Sequence, residues 1–187
     1  MEKFRKQLYE ILMQDDVVSS IRNNLDQLIK IIPEIKYMIN FPHNHPHHHL
    51  DVFEHTLLAL GFSNYEFDER LCLLLHDIGK PFSYQDEEVR HFRGHPEVSA
   101  IMSFVILTRL NYPPEFVEKI IYLIRYHDTP IKVEDIESNY DLAYKRFLIQ
   151  ISDAYAHNPL KLEKRIAYLK NMKNKFENYK VIKNSNL

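Results

Sequence analysis

His76 and Asp77 stand side by side where a buried-looking apolar run, Leu71 to Leu75, meets the breakers Gly79 and Pro81. Imidazole nitrogen and carboxylate oxygen are metal ligands as well as acid–base groups, so such a pair takes its meaning from its partners. His55 lies inside a helical pattern upstream. Asp153 lies in LIQISDAYA, where Ile149, Ile151 and Ala154 give a carboxylate little polar company. Burying an unpaired carboxylate is expensive, and a cation is one good partner for it. Two His and two Asp make a mixed nitrogen and oxygen donor set, suited to Fe, Mn, Co, Ni or Zn and open to Mg. Neighbouring residues of an ideal helix point about 100° apart. His76 and Asp77 can therefore share a metal only where the helix is ending, as the following IGKP implies.

Further ligand types are placed suggestively. HFRGHPE sets His91 and His95 one turn apart before a helix start, and IRYHDTP sets His127 at a helix end beside Asp128. If Asp77 bridges, His95 and His127 complete a second metal position. Two metals about 3.5–4 Å apart can activate a water between them and neutralise charge on a phosphoryl group. Lys80 is a candidate to offset phosphate charge, against a solvated loop lysine. Arg93 is a candidate bidentate phosphate clamp, and His91 a candidate proton donor to a leaving oxygen. Arg146, Gln150, Asp153 and His157 recur at spacings of four, three and four, a polar stripe on which Arg146 and His157 could frame a pocket or simply sit at a rim. Asp128 could orient His127 or cap the turn after it, and Cys72 reads as core packing.

HNHPHHHLDVFEHT, residues 43–56, holds six of the chain's 11 histidines. It is internal and broken by Asn44 and Pro46, unlike an affinity tag. Only His55 has a helical setting with distant partners. His49 is expected at the pocket rim, and His43, His45, His47 and His48 are expected to be solvated.

Helices must position these groups. Apolar spacing predicts helices over residues 3–14 and 19–32, the second ended or kinked by Pro33. A short helix follows through Leu60, with Asp51 as cap and Glu54 completing a capping box. Asp68 is expected to cap the helix that ends in His76-Asp77. A polar loop leads to a helix opening at Pro96. Further helices are expected over EFVEKIIYLIRYH, 141–157 and 160–178, the strand reading of YLIRY being weaker. An all-α fold of about seven or eight helices results, with no βαβ pattern of the usual nucleotide folds.

Composition narrows the function classes. At 187 residues the chain can bury roughly 70% of its unfolded surface in one domain. Three glycines argue against phosphate-binding Gly-rich loops, and a net charge of −2 gives no global field for nucleic acid. Stable nucleic-acid binding is not expected. One cysteine excludes an internal disulfide, and no stretch has the apolar length of a spanning helix or a leader. A cytoplasmic protein is the expectation.

The ordered set His55, LLLHDIGKP, HFRGHPEVSA, RYHDTP and ISDAYA resembles the HD-domain superfamily of metal-dependent phosphohydrolases. The wording is most similar to the HD domain associated with bacterial tRNA nucleotidyltransferases (CCA-adding enzymes), and similar to small stand-alone HD hydrolases. The resemblance covers about residues 43–160 and implies a single HD domain over 1–187. It implies that His55, His76, Asp77 and Asp153 bind one divalent metal and that His95 and His127 serve a second. It implies a small phosphorylated substrate, often a nucleotide, hydrolysed as a monoester or diester; Asp77, Lys80, His91 and Arg93 are the candidates for the reacting centre. His49, Lys80, Arg93, Arg146 and His157 would contact the substrate. Only 50 residues precede the ligand-bearing segment, too few for a nucleotidyltransferase head, so tRNA tailing is not expected. The signature of cyclic-di-GMP phosphodiesterases is also missing. A dinucleotide polyphosphate hydrolase and a metal-stabilised, non-catalytic regulatory module are the alternatives.

Overall fold

The computed structural model describes residues 2–185. It is all-α, with ten α-helices and one two-stranded hairpin among the described residues. Helix α1 (Glu2–Leu12) buries Leu8, Ile11 and Leu12. The single helix expected over 19–32 is two, α2 (Val17–Asn23) and α3 (Leu25–Ile31). Asn24 divides them: at φ −116° and ψ 21° it leaves the helical region, and its amide donates to the Ser20 carbonyl at 2.8 Å. Asp16 caps α2 by accepting from the Ser19 N–H. Pro33 then opens a 3-10 turn, Pro33–Tyr37.

Helix α4 (Val52–Gly61) is capped by Asp51, which accepts from the Glu54 N–H at 2.8 Å. The reciprocal half of the capping box is not made, because the Glu54 carboxylate reaches across to Arg22. Helix α5 (Phe67–Leu75) is almost wholly buried. Its cap position is Glu66, not Asp68. Asp68 lies inside the first turn and is drawn instead to Lys119 and Lys145, at 2.5 Å and 2.6 Å. A 3-10 turn, Lys80–Phe82, leads into strands β1 (Gln85–Asp86) and β2 (Arg90–His91), an antiparallel hairpin within the expected loop.

Helices α6 (His95–Arg109) and α7 (Pro114–Arg125) follow, each with a proline in its first turn, where the missing N–H costs nothing. A short α8 (Val133–Ser138), unexpected from the apolar spacing, precedes α9 (Tyr140–Tyr155) and the long α10 (Glu163–Ser185). The added α8 and the division at Asn24 account for the count above eight. One apolar cluster joins α1 to α7 and includes Ile149 of α9. A second joins Phe147 and Ala154 of α9 to Leu169, Met172 and Phe176 of α10. Helix α9 thus faces both clusters, and its polar stripe emerges between them. Cys72 is buried in the first cluster, its thiol pushed up by burial. No described helix is long and apolar enough to cross a membrane.

Candidate metal centre and its cavity

Helix ends deliver the ligand-type side chains. The last carbonyls of a helix have no partner within it, and at two ends here an imidazole supplies one. His76, at the end of α5, places Nδ1 2.7 Å from the Leu73 carbonyl, and His127, after α7, does the same at 2.7 Å from Ile124. His95 opens α6 with Nδ1 2.9 Å from the Phe92 carbonyl. Gly94 before it adopts φ +79°, which a side chain would strain. His157 sets Nδ1 2.8 Å from the Asp153 carbonyl, and His55, one turn into α4, reaches the Ala156 carbonyl at 3.1 Å. A carbonyl only accepts, so each Nδ1 carries a proton. The Nε2 of His157 faces Arg165 at 3.3 Å, and those of His55, His76, His95 and His127 are left to act as ligands.

These Nε2 atoms converge on two carboxylates. His55 Nε2 lies 2.9 Å from Asp153 Oδ1 and 3.6 Å from Asp77 Oδ2. His76 Nε2 lies 3.3 Å from Asp77 Oδ2 and 3.6 Å from Asp153 Oδ1. On the other side of the same carboxylate, His95 Nε2 is 3.2 Å and His127 Nε2 4.0 Å from Asp77 Oδ1. His95 and His127 face one another nitrogen to nitrogen at 3.3 Å. Lone pairs pointed at lone pairs need a cation between them. His76 Nε2 and both Asp77 oxygens are buried without a well-directed hydrogen bond. Three groups could each hold an ion: His55–His76–Asp77, Asp77–His95–His127 and His55–Asp153–His157. The donors are those a divalent ion of borderline softness takes, and they fit one or two such ions.

Charge in the site runs the same way. Burial opposes an imidazolium at His76, but Asp77 and Asp153 outweigh it and push its pKa up to about 10. Burial would raise Asp77, yet His76 and Lys80 hold it well below the carboxylate range. Asp153 is held low in the same way, chiefly by Arg165 and His157 against the cost of burial. His127, buried and beside His76 and His95, is pushed down to about 3. Positive charge is thus favoured between the two aspartates, and the His127 ring is kept neutral, the form that can bind a cation.

Supporting contacts include several that the sequence did not suggest. Lys80 Nζ lies 2.7 Å from Asp77 Oδ2 and donates to His43 Nε2 at 3.0 Å. His43, expected to be solvated, is 1% exposed, with Nδ1 donating to the Leu50 carbonyl at 2.8 Å. Burial and Lys80 push its pKa down to about 2, so it stays a neutral acceptor that aims the lysine. His48 stacks on His43 with centroids 3.8 Å apart and lies 4.4 Å from His157. Asn158 clasps this loop, donating from its backbone to the His47 carbonyl at 2.8 Å and from its amide to Pro46 at 3.0 Å. Arg165 of α10 bonds Asp153 Oδ2, leaving Oδ1 to the histidines. It also approaches Asp128, whose carboxyl is raised by burial although Arg165 opposes the shift. Only the long-range fold identifies His43, Asn158 and Arg165; no local pattern marks them.

A cavity of about 440 Å³ opens over Asp77, His95, His127 and Asp153. Lys80, His91, Arg93 and His157 also line it, as do His45 and His48, both expected in solvent. Arg93 is 68% exposed and bonds Glu87 at 3.2 Å, and His91 lies 3.6 Å from the same glutamate. His49 is exposed and outside the lining. The loop turns its neighbours His43 and His48 inward in its place. Arg146 is also outside the lining. It is buried and donates to the Thr129 and Pro130 carbonyls at 3.1 Å, while Gln150 bonds Thr129 at 2.7 Å. Both hold the turn that follows His127 and do not frame the pocket.

The family model described as HD domain matches residues 47–169. A CC-adding tRNA nucleotidyltransferase of Thermus thermophilus is 32% identical over 67% of this chain and 31% of its own. An A-adding tRNA nucleotidyltransferase of Deinococcus radiodurans is 30% identical over 79% of this chain and 36% of its own. A multifunctional CCA protein of Pseudomonas fluorescens is 26% identical over 89% of this chain and 41% of its own. The chain therefore spans about a third of the length of the first two of these relatives.

Proposed function

Because this chain belongs to the HD-domain family, we propose that it is a metal-dependent phosphohydrolase acting on phosphomonoesters or phosphodiesters of nucleotides. The observation that carries the reading is the Asp77 carboxylate, with His55 and His76 facing one oxygen and His95 and His127 the other. His55, His76, Asp77 and Asp153 would hold one divalent ion, and Asp77, His95 and His127 a second. When bound, such ions polarise a phosphoryl group and make water a stronger acid. No Ser or Cys lines the cavity among the described residues, and water is the attacking group in this reading.

The chain's own residues do the remaining work. Lys80, aimed by His43, places positive charge beside Asp77 where phosphoryl oxygens would gather. Arg93 and His91 sit on the hairpin side of the cavity, where Arg93 can exchange Glu87 for a substrate phosphate and His91 can protonate a leaving oxygen. His157 and Arg165 fix Asp153 from the opposite wall. The nucleotide preference is supported by the nucleotidyltransferases among the relatives.

The test is to purify the full chain, measure its metal content, and assay p-nitrophenyl phosphate, nucleoside monophosphates, 2′,3′-cyclic AMP and diadenosine tetraphosphate. Turnover of at least one nucleotide ester that disappears in Asp77→Ala is expected. Bound metal with no turnover of any of them would refute catalysis and leave a metal-stabilised module.

A further inference from the structure

Beside the catalytic cavity lies a second groove of about 320 Å³ that shares His45, His48, His157 and Arg165 with it. The two differ in charge. In the cavity the cations are already engaged: Lys80 with Asp77, Arg93 with Glu87, Arg165 with Asp153. In the groove Lys161 and Lys164 are exposed and have no ion-pair partner among the described residues, and no carboxylate lines it. One wall is Lys161, which ends the 3-10 turn Pro159–Lys161, with Lys164 and Arg165 at the start of α10. The other is the 45–48 histidine loop. Asn158 joins the walls, with its two bonds to the loop and its side-chain oxygen accepting from the Leu160 N–H at 3.1 Å. The groove is therefore held in shape by the fold.

We propose that this groove is a second anion subsite, taking a phosphate of the substrate other than the one attacked. The inference rests on the phosphohydrolase reading only for the identity of the cavity's ligand. His157 connects the two regions directly: it lines the groove, and its imidazole stands within ligand distance of His55 and Asp153. A substrate with one phosphoryl group over Asp77 places its next phosphate on the unpaired lysines. Lysine ammonium groups recognise phosphate as point charges and tolerate varied geometry. The shared chemistry is a doubly phosphorylated ligand. It could be an oligonucleotide with a neighbouring diester or a small nucleoside bisphosphate.

The experiment uses metal-loaded full-length protein and probes whose P–C bonds cannot be hydrolysed. Dissociation constants are measured by calorimetry for propane-1,3-bisphosphonate and for propylphosphonate. Wild type is expected to bind the bisphosphonate about tenfold more tightly, a difference typical of one charge-assisted contact. Lys161→Ala with Lys164→Ala should abolish that preference and leave propylphosphonate unchanged, and the paired Lys→Arg changes should retain it. Equal affinities in wild type, or a preference that survives the alanine pair, would overturn the proposal. Displacement of the bisphosphonate by the dinucleotide pApA or by adenosine 3′,5′-bisphosphate supports it and identifies the source. Displacement by neither counts against it. Absence of turnover in the assays above would defeat the phosphohydrolase reading while these binding constants still judge the groove.

Discussion

Replacing Asp77 by Asn keeps the shape of the side chain and removes one negative charge from two ligand groups at once. Its oxygens lie 3.6 Å and 3.3 Å from His55 and His76 and 3.2 Å and 4.0 Å from His95 and His127, so neither group is screened from the change. A pair of unit charges about 4 Å apart is worth about 4 kcal/mol at an effective dielectric constant of about 20. That corresponds to about a thousandfold in dissociation constant. A divalent ion doubles the attraction, while the Asn carbonyl and the relief of burying a carboxylate return part of it. The two groups then diverge, because the His55–His76 side keeps Asp153 and the His95–His127 side keeps two imidazoles and no carboxylate. Wild type dialysed against Mn²⁺ should bind two ions per chain, and Asp77→Asn one, about a thousandfold more weakly. Inductively coupled plasma mass spectrometry after dialysis counts the ions, and competition with a chelating dye measures the affinity. Two ions retained by the variant at wild-type affinity would refute the bridging role of Asp77.

Other outcomes follow from the same geometry. Removing metal with a chelator should lower the melting temperature, and adding Mn²⁺ at about 100 times its dissociation constant should restore about 2.7 kcal/mol, read by calorimetry as about 5–10 °C. Gly79→Ala puts a methyl 2.5 Å from the Ser99 backbone nitrogen and 2.8 Å from its hydroxyl. It should therefore cost about 1–3 kcal/mol, measured by urea unfolding. Asp68 is held below its ordinary 3.8 because Lys119 and Lys145 outweigh the cost of burial. Its stabilisation is thus present above the unfolded-state value and is lost as pH falls through the lower folded-state value. Asp68→Asn should be less stable by about 1 kcal/mol at pH near 7 and equal to wild type in acid below both values. A pH-independent gap in chemical denaturation would contradict this account of the pair.

Ligand types and spacing made the centre legible, since His55, His76, Asp77, His95, His127 and Asp153 each stand at a helix end or on a polar stripe that the chain order reveals. What stayed hidden depends on contacts between distant segments. The path of the histidine loop at residues 46 and 47 is pinned by Asn158, more than a hundred residues away, and His43 is turned inward by the Leu50 carbonyl and Lys80. Arg146 shares a stripe with Asp153, but the 3.1 Å bonds that claim its guanidinium come from a turn whose path no local pattern encodes. Arg165 looked like any residue of a basic helix until Asp153 was placed against it. Asn24 and α8 escaped because helical spacing records which face is apolar and not where the axis bends.

His55 and Asp153 are 98 positions apart, His95 and His127 are 32, and their nitrogens and oxygens meet only after α4 to α9 have assembled. No fragment of the chain carries the binding site by itself. The ion should therefore sense cooperativity: its release during denaturation would coincide with the loss of helical signal from the whole domain, and a chelating dye in the buffer would act as a label-free reporter of folding. A release that precedes the helical transition would locate a weak seam between the ligand-bearing segments, with the 157–161 turn as the first place to look.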